Sequence, residues 1–237
     1  MYSPGNSCGL GFIGYVHALP RFGMKVSILL LAVLALLPVS VDRVAAQTAP
    51  ALSDEALVQT LREGGFNIYF RHAATDWSQS DEVSKAGDWL SCDSSRMRQL
   101  SADGRQTSIN IGDAIRALGL PVGKVMASPY CRTVETAELM RLGAVEATTD
   151  VMNLRVATYF GGRGAIVRSA QMRLSTKPAT GTNTVIVAHG NVAQAATPVY
   201  PGEGEAIIFQ PDGEGGFRYI ARIAADDWPG IIARVPR

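Results

Sequence analysis

Beyond residue 52, apolar positions follow two rhythms that alternate along the chain. Leu57 and Leu61 share one face of a short helix that Ser53-Asp-Glu caps and Gly64-Gly65 ends. Residues 66–70 read as a strand, and 73–95 form a polar stretch too rich in Asp and Ser to be core. Ser101 opens a helix carrying Ile111, Ile115 and Leu118 at helical spacing, stopped by Gly119 and Pro121. A short strand at 124–127 leads into a helix over about 130–141, and 145–148 offers another strand. A helix over 165–174 and a strand over 184–188 follow. The pattern closes with strands at 206–210 and 217–223 flanking Asp212-Gly-Glu-Gly-Gly216, the signature of a β-hairpin.

This alternation predicts an α/β fold with three layers, α/β/α, around a mostly parallel sheet with an antiparallel edge. Ligands of such sheets bind beyond the carboxyl ends of the strands. Strand ends here deliver Arg71 and His72, then Arg132 one turn into the following helix, then His189. All four are expected on one rim.

Composition places the chain among globular proteins, with 47% hydrophobic and 18% charged residues, and its length favours one domain, taken as residues 47–237. The formal charge of +1 argues against nucleic acid as a partner. The amino terminus changes the picture more. Lys25 precedes an uncharged run over 26–41, and Val44-Ala45-Ala46 supplies the small residues of a cleavage site. The run is shorter than the ~20 residues of a membrane span. Residues 24–46 are therefore read as a signal peptide cleaved after Ala46, with an uncleaved anchor as the alternative. Residues 1–23 have no signal-like order and read as a start-site artefact upstream of Met24. The expected location is periplasmic or secreted, without integral membrane association after cleavage.

Export bears on the cysteines. Cys8 lies in the upstream segment, which leaves Cys92 and Cys131 in a compartment where a disulfide persists. A bond between them would brace the residue just before Arg132; two free thiols packed as small apolar groups are the other reading.

His72 and His189 are the two histidines beyond residue 46, and each follows a β-like apolar run. With Arg71 and Arg132 they make a set suited to gripping a phosphate. Arg71-His-Ala-Ala-Thr-Asp-Trp77 resembles the Arg-His-Gly motif of the histidine phosphatase, or phosphoglycerate mutase-like, superfamily. Ser128-Pro-Tyr-Cys-Arg-Thr-Val-Glu-Thr-Ala137 resembles its second arginine motif, and Ala188-His-Gly190 its second histidine motif. The motifs stand in the family's order.

The resemblance implies a phosphomonoesterase with a covalent phosphohistidine intermediate. His72 would be the nucleophile, Arg71 and Arg132 the clamp on the equatorial oxygens, and His189 the donor that stabilises the transferring group. No cofactor or metal is expected, and the partner is a small phosphorylated metabolite or envelope sugar phosphate. Thr75 and Asn191 either touch phosphate or cap turns. Two departures count against mutase chemistry: Ala74 follows the motif's third position, and Val151-Met-Asn-Leu-Arg155 lacks the glutamate that the mutase-like branch uses as proton donor. Asp76 and Glu205 are then the leading general-acid candidates, with Glu135 and Glu203 behind them. Trp77 and Trp89 are expected to cover apolar surface, and Arg96, Arg98 and Arg105 to form a solvated face. Substrate specificity would come from residues 76–98 and 149–177. A non-catalytic phosphate or phospho-ligand binding protein on the same scaffold is the alternative function. Substrate and oligomeric state are not readable from the chain.

Overall fold

The computed structural model describes residues 52–235. The expected leader at 24–46, the segment at 1–23 and Cys8 lie outside the described residues.

Its elements run α1 (Asp54–Glu63), β1 (Asn67–Arg71), α2 (Ala102–Ala117), β2 (Val122–Ala127), α3 (Cys131–Met140) and β3 (Val145–Ala147). They continue α4 (Arg163–Ser175), β4 (Asn183–Ala188), α5 (Gly190–Ala196), β5 (Ala206–Pro211), β6 (Phe217–Ile223) and α6 (Trp228–Arg234), with 3-10 turns at Asp88–Leu90, Thr149–Val151 and Leu154–Phe160. The sheet order is β3-β2-β4-β1-β5-β6. β4 pairs in parallel with β1 and β2, and β2 in parallel with β3, whereas β5 is antiparallel to both β1 and β6. That is the expected α/β class with its antiparallel edge.

The period of two along the strands explains the layers. Ile68 and Phe70 of β1, with Val185 and Val187 of β4, face a core shared with α1, α2, α3 and α6. Tyr69, Ile186 and Ala188 face the opposite core, against α4 and α5. Central strands buried on both faces carry near-continuous apolar runs, so every residue of β4 is buried. Phe70 stacks on Trp228 with ring centroids 6.3 Å apart, and truncating it to alanine would cost about 3–5 kcal/mol.

Capping follows the sequence. The Ser53 hydroxyl accepts the Ala56 N–H, and the Ser101 hydroxyl accepts the Gly104 N–H. Gly104 also permits a close approach, since a Cβ there would lie 2.0 Å from the Ala74 carbonyl oxygen. Only glycine lets α2 pack this closely under the loop that leaves His72.

Two helices, α5 and α6, are absent from the sequence pattern. Each has seven residues, and α5 buries mainly Val192, Ala193 and Ala196, which leaves little helical periodicity to read. The polar stretch after β1 also differs from expectation. It contributes Trp89 to the buried set, which Met97 and Leu100 just beyond it continue, and organises around Asp88. The Asp88 carboxylate accepts the Lys85 and Ser84 N–H groups, the Ser84 hydroxyl and Arg96, and these donors hold its pKa at about 2. Acidic side chains here are internal scaffolding for a loop.

Cys92 and Cys131 are joined, with Cα atoms 5.3 Å apart. The bond ties the segment after β1 to the first residue of α3. Among the described residues no helix is long and apolar enough to cross a membrane.

Candidate active site

His72 directly follows β1 and is 3% exposed. Its Nδ1 lies 2.9 Å from the Ala73 carbonyl oxygen. A carbonyl only accepts, so Nδ1 carries the proton and Nε2 holds the free lone pair. Burial first, then the nearby Arg132 guanidinium, push its pKa well below the usual histidine value. The ring is therefore neutral and oriented, as a nucleophile requires. Ala73 stands where the related motif has glycine. Its backbone does not enter the positive-φ region, where Arg141 is the non-glycine residue found among the described residues, and its N–H donates to the Thr136 hydroxyl.

His189 directly follows β4 and caps the start of α5, with its ring centroid 5.7 Å from that of His72. Two bonds set its backbone: the Tyr69 hydroxyl donates to its carbonyl at 2.7 Å, and its own N–H donates back to that hydroxyl at 3.1 Å. Its Nε2 meets the Ser128 hydroxyl at 2.9 Å, and the Tyr130 ring packs edge-on against it at 4.7 Å. Burial, then Arg132 and His72, push its pKa well below the ordinary range.

Arg132, in the first turn of α3, is 1% exposed. Nη1 and Nη2 donate to the two oxygens of Asp81 at 2.9 and 3.0 Å, Nη1 also donates to the Arg98 carbonyl, and the guanidinium lies over the Tyr130 ring at 4.6 Å. Arg71 donates to Glu203 at 3.2 Å and to the Pro201 carbonyl. Arg98 stacks on Trp77, its guanidinium carbon 3.9 Å from the ring centroid.

Among the described residues four buried side-chain polar atoms have no partner: Arg98 Nε, Arg132 Nε, His189 Nδ1 and Trp228 Nε1. Three of the four belong to this rim. Buried polar groups are expensive to leave unpaired, so their gathering in one place marks a site built for a polar ligand.

Both leading general-acid candidates need correction. The Asp76 carboxylate accepts the Ser78 hydroxyl and N–H and the Gln79 amide, which hold its pKa down and stabilise the charged form. Burial pushes the Glu205 carboxyl up, but bonds from Arg222 and the Gly202 N–H outweigh it and keep the group below its ordinary value. Glu205 thus ties the start of β5 to β6, and its bonds favour the charged form over the protonated one. Glu203, two residues earlier, is the carboxylate at the rim. One oxygen accepts both Arg71 Nη2 and the Thr75 hydroxyl, the latter at 3.0 Å.

The remaining candidates have positioning bonds. Thr75 is committed to Glu203, and Asn191 donates to Asn153 at 2.8 Å while accepting the Leu154 N–H. Arg105 pairs with Glu135 and Arg96 with Asp88, as structural ion pairs. Trp89 packs on Tyr159 and Phe160. Arg98 is not the solvated residue expected of it. Sequence reasoning misses Tyr69, Asp81 and the role of Ser128; of these, only Ser128 carries a signal, as the first residue past β2.

No protein-family model and no curated protein matches the chain. Solved structures do. One is the protein histidine phosphatase SixA complexed with tungstate, at 12% identity and TM-score 0.49, covering 68% of this chain and 98% of that one. Another is mycobacterial glucosyl-3-phosphoglycerate phosphatase with VO3, at 15% identity and TM-score 0.47, covering 68% and 100%. A third is a mutant phosphoserine phosphatase from Entamoeba histolytica with phosphoserine, at 13% identity and TM-score 0.44, covering 68% and 97%.

Proposed function

We propose that the protein is an exported phosphomonoesterase that hydrolyses a small phosphorylated metabolite or sugar phosphate through a phosphohistidine at His72. The observation that carries this reading is the pairing of a neutral, tautomer-fixed His72 with unpartnered donors on Arg132 and His189 beside it. Nε2 of His72 attacks phosphorus in line, forming the P–N bond as the ester P–O bond breaks. Arg71 and Arg132 hold the equatorial oxygens, and His189 Nδ1 donates to the charge spreading over the phosphoryl group. Glu203, the carboxyl group beside Arg71 and Thr75, is the group to which this reading gives proton delivery to the leaving alkoxide. Water then attacks the phosphohistidine, returns a proton to Glu203 and leaves inorganic phosphate with a free His72.

Export is supported by the leader-like sequence ahead of Gln47 and by the Cys92–Cys131 bond. The test is phosphate release from a panel of phosphomonoesters in the presence of a chelator. Turnover is expected, with none in His72→Ala and a residue of activity in Arg132→Ala, reduced about 100-fold to 1000-fold. Phosphate binding by a folded protein that releases none from any ester would instead favour a binding protein.

A further inference from the structure

The arginines of the rim differ in what they already hold. Arg132 is paired with Asp81 and Arg71 with Glu203. The Asp81 pair occupies Nη1 and Nη2 of Arg132 and leaves its buried Nε edge unpartnered beside the histidines. Arg98 has no such carboxylate. Its guanidinium rests on the Trp77 ring, which is 67% exposed, and it has no acceptor among the described residues. An ordinary surface arginine keeps its donors in water, whereas the Nε of Arg98 is sealed from water without a partner.

The main chain of Arg98 ties it to the phosphate grip twice. Its N–H donates to Asp81 at 3.1 Å, and its carbonyl accepts Arg132 Nη1 at 3.2 Å. The stack on Trp77, at 3.9 Å, fixes the other end of the side chain. Burial and then Arg132 do most to lower the pKa of both rim histidines, and Arg98 adds less than Arg71, as suits a cation further from the reacting nitrogen. Burial, then repulsion from Arg132, lowers the pKa of Arg98 itself, with Arg155 adding to the same positive field. An oxyanion would relieve that repulsion and match the planar fork.

We propose that Arg98 is a specificity-determining residue that binds a second oxyanion of the substrate, a carboxylate or a phosphate carried on the leaving group. The proposal rests on the phosphatase reading of the same site and narrows the substrate to a small metabolite with two anionic groups.

Hydrolysis of ω-carboxyalkyl phosphates of increasing length, each beside its neutral carboxamide, tests this in the whole protein. At the best-fitting length the acid is expected to have a kcat/KM about 10-fold to 100-fold above its amide. The difference should sit in KM, because a group remote from phosphorus is bound equally in the ground and transition states. In Arg98→Gln acid and amide should become nearly equal. A parallel series ended by a second phosphate tells the two oxyanions apart, and a preference for either over the amide supports the proposal. Equal rates for acid, bisphosphate and amide in the parent, or a preference that Arg98→Gln keeps, would overturn it and leave the phosphatase reading intact. Should Arg98→Gln not fold, Trp77→Ala removes the platform instead: the preference should shrink several-fold, and an undiminished one overturns the proposal. If no ester is hydrolysed, calorimetry on the same compounds decides. Acids bound more tightly than amides by the parent, and equally by Arg98→Gln, would keep this inference and remove the phosphatase reading; equal binding by the parent would remove both.

Discussion

The Ser128 hydroxyl lies 2.9 Å from Nε2 of His189, on the side of the ring away from the unpartnered Nδ1. When that hydroxyl donates to Nε2, the proton of the neutral ring sits on Nδ1, the form that donates to a phosphoryl oxygen. The Tyr69 hydroxyl holds the backbone of the same residue, so His189 is fixed at both ends.

Ser128→Ala removes the tautomer bias without touching substrate. The expected result is a fall in kcat of about 10-fold to 100-fold, well short of the loss in His72→Ala. Nitrogen NMR of His189 provides the readout that a merely structural role would not move: the Nδ1–H form should dominate in the parent and lose its dominance in the variant. An unchanged tautomer ratio would remove Ser128 from the mechanism.

Glu203→Gln separates proton transfer from phosphate binding. With an alkyl phosphate, whose leaving alkoxide needs a proton, kcat should fall about 100-fold or more. With p-nitrophenyl phosphate, whose leaving group needs none, the fall should be small. An equal loss on both substrates would assign Glu203 to holding Arg71, its partner at 3.2 Å.

Both rim histidines are held neutral by burial, with pKa values well below the usual range. The unfolded chain therefore binds more protons than the folded one once pH falls below about 6.5. Stability is full above that value and is lost as pH drops towards the folded pKa values. Urea denaturation between pH 7 and 5 should show a decline of up to about 1.4 kcal/mol per pH unit for each histidine, shallower in His72→Ala and in His189→Ala. A flat profile would contradict the assigned directions.

The Cys92–Cys131 bond closes a loop with a sequence separation of 39. On the chain-entropy model its loss costs about 4 kcal/mol, so Cys92→Ser with Cys131→Ser should lower Tm by about 8–16 degrees. A Tm within a degree or two of the parent would show that the loop's own bonds, centred on Asp88, already hold it.

Much of this protein is legible from its sequence because the relevant signals are local. Runs such as 184–188 announce a doubly buried strand, and a strand's carboxyl end is where an α/β sheet presents its ligands. That reasoning alone sets Arg71, His72 and His189 at strand ends and Arg132 in the turn of helix that follows β2, where the structure has them. Partnership is a different matter. Asp81 and Arg132 are 51 residues apart, and no periodicity shows that one fills the other's fork. Glu203 and Glu205 look interchangeable in the sequence, yet Glu203 meets Arg71 while Glu205 turns to Arg222 on β6. The strand order and the entry into β5 decide between them. Hydrophobic pattern and strand-end position were thus determined by the sequence itself, since each depends on neighbours along the chain. Which charge meets which depends on distances across the folded chain, and only the tertiary structure decided that.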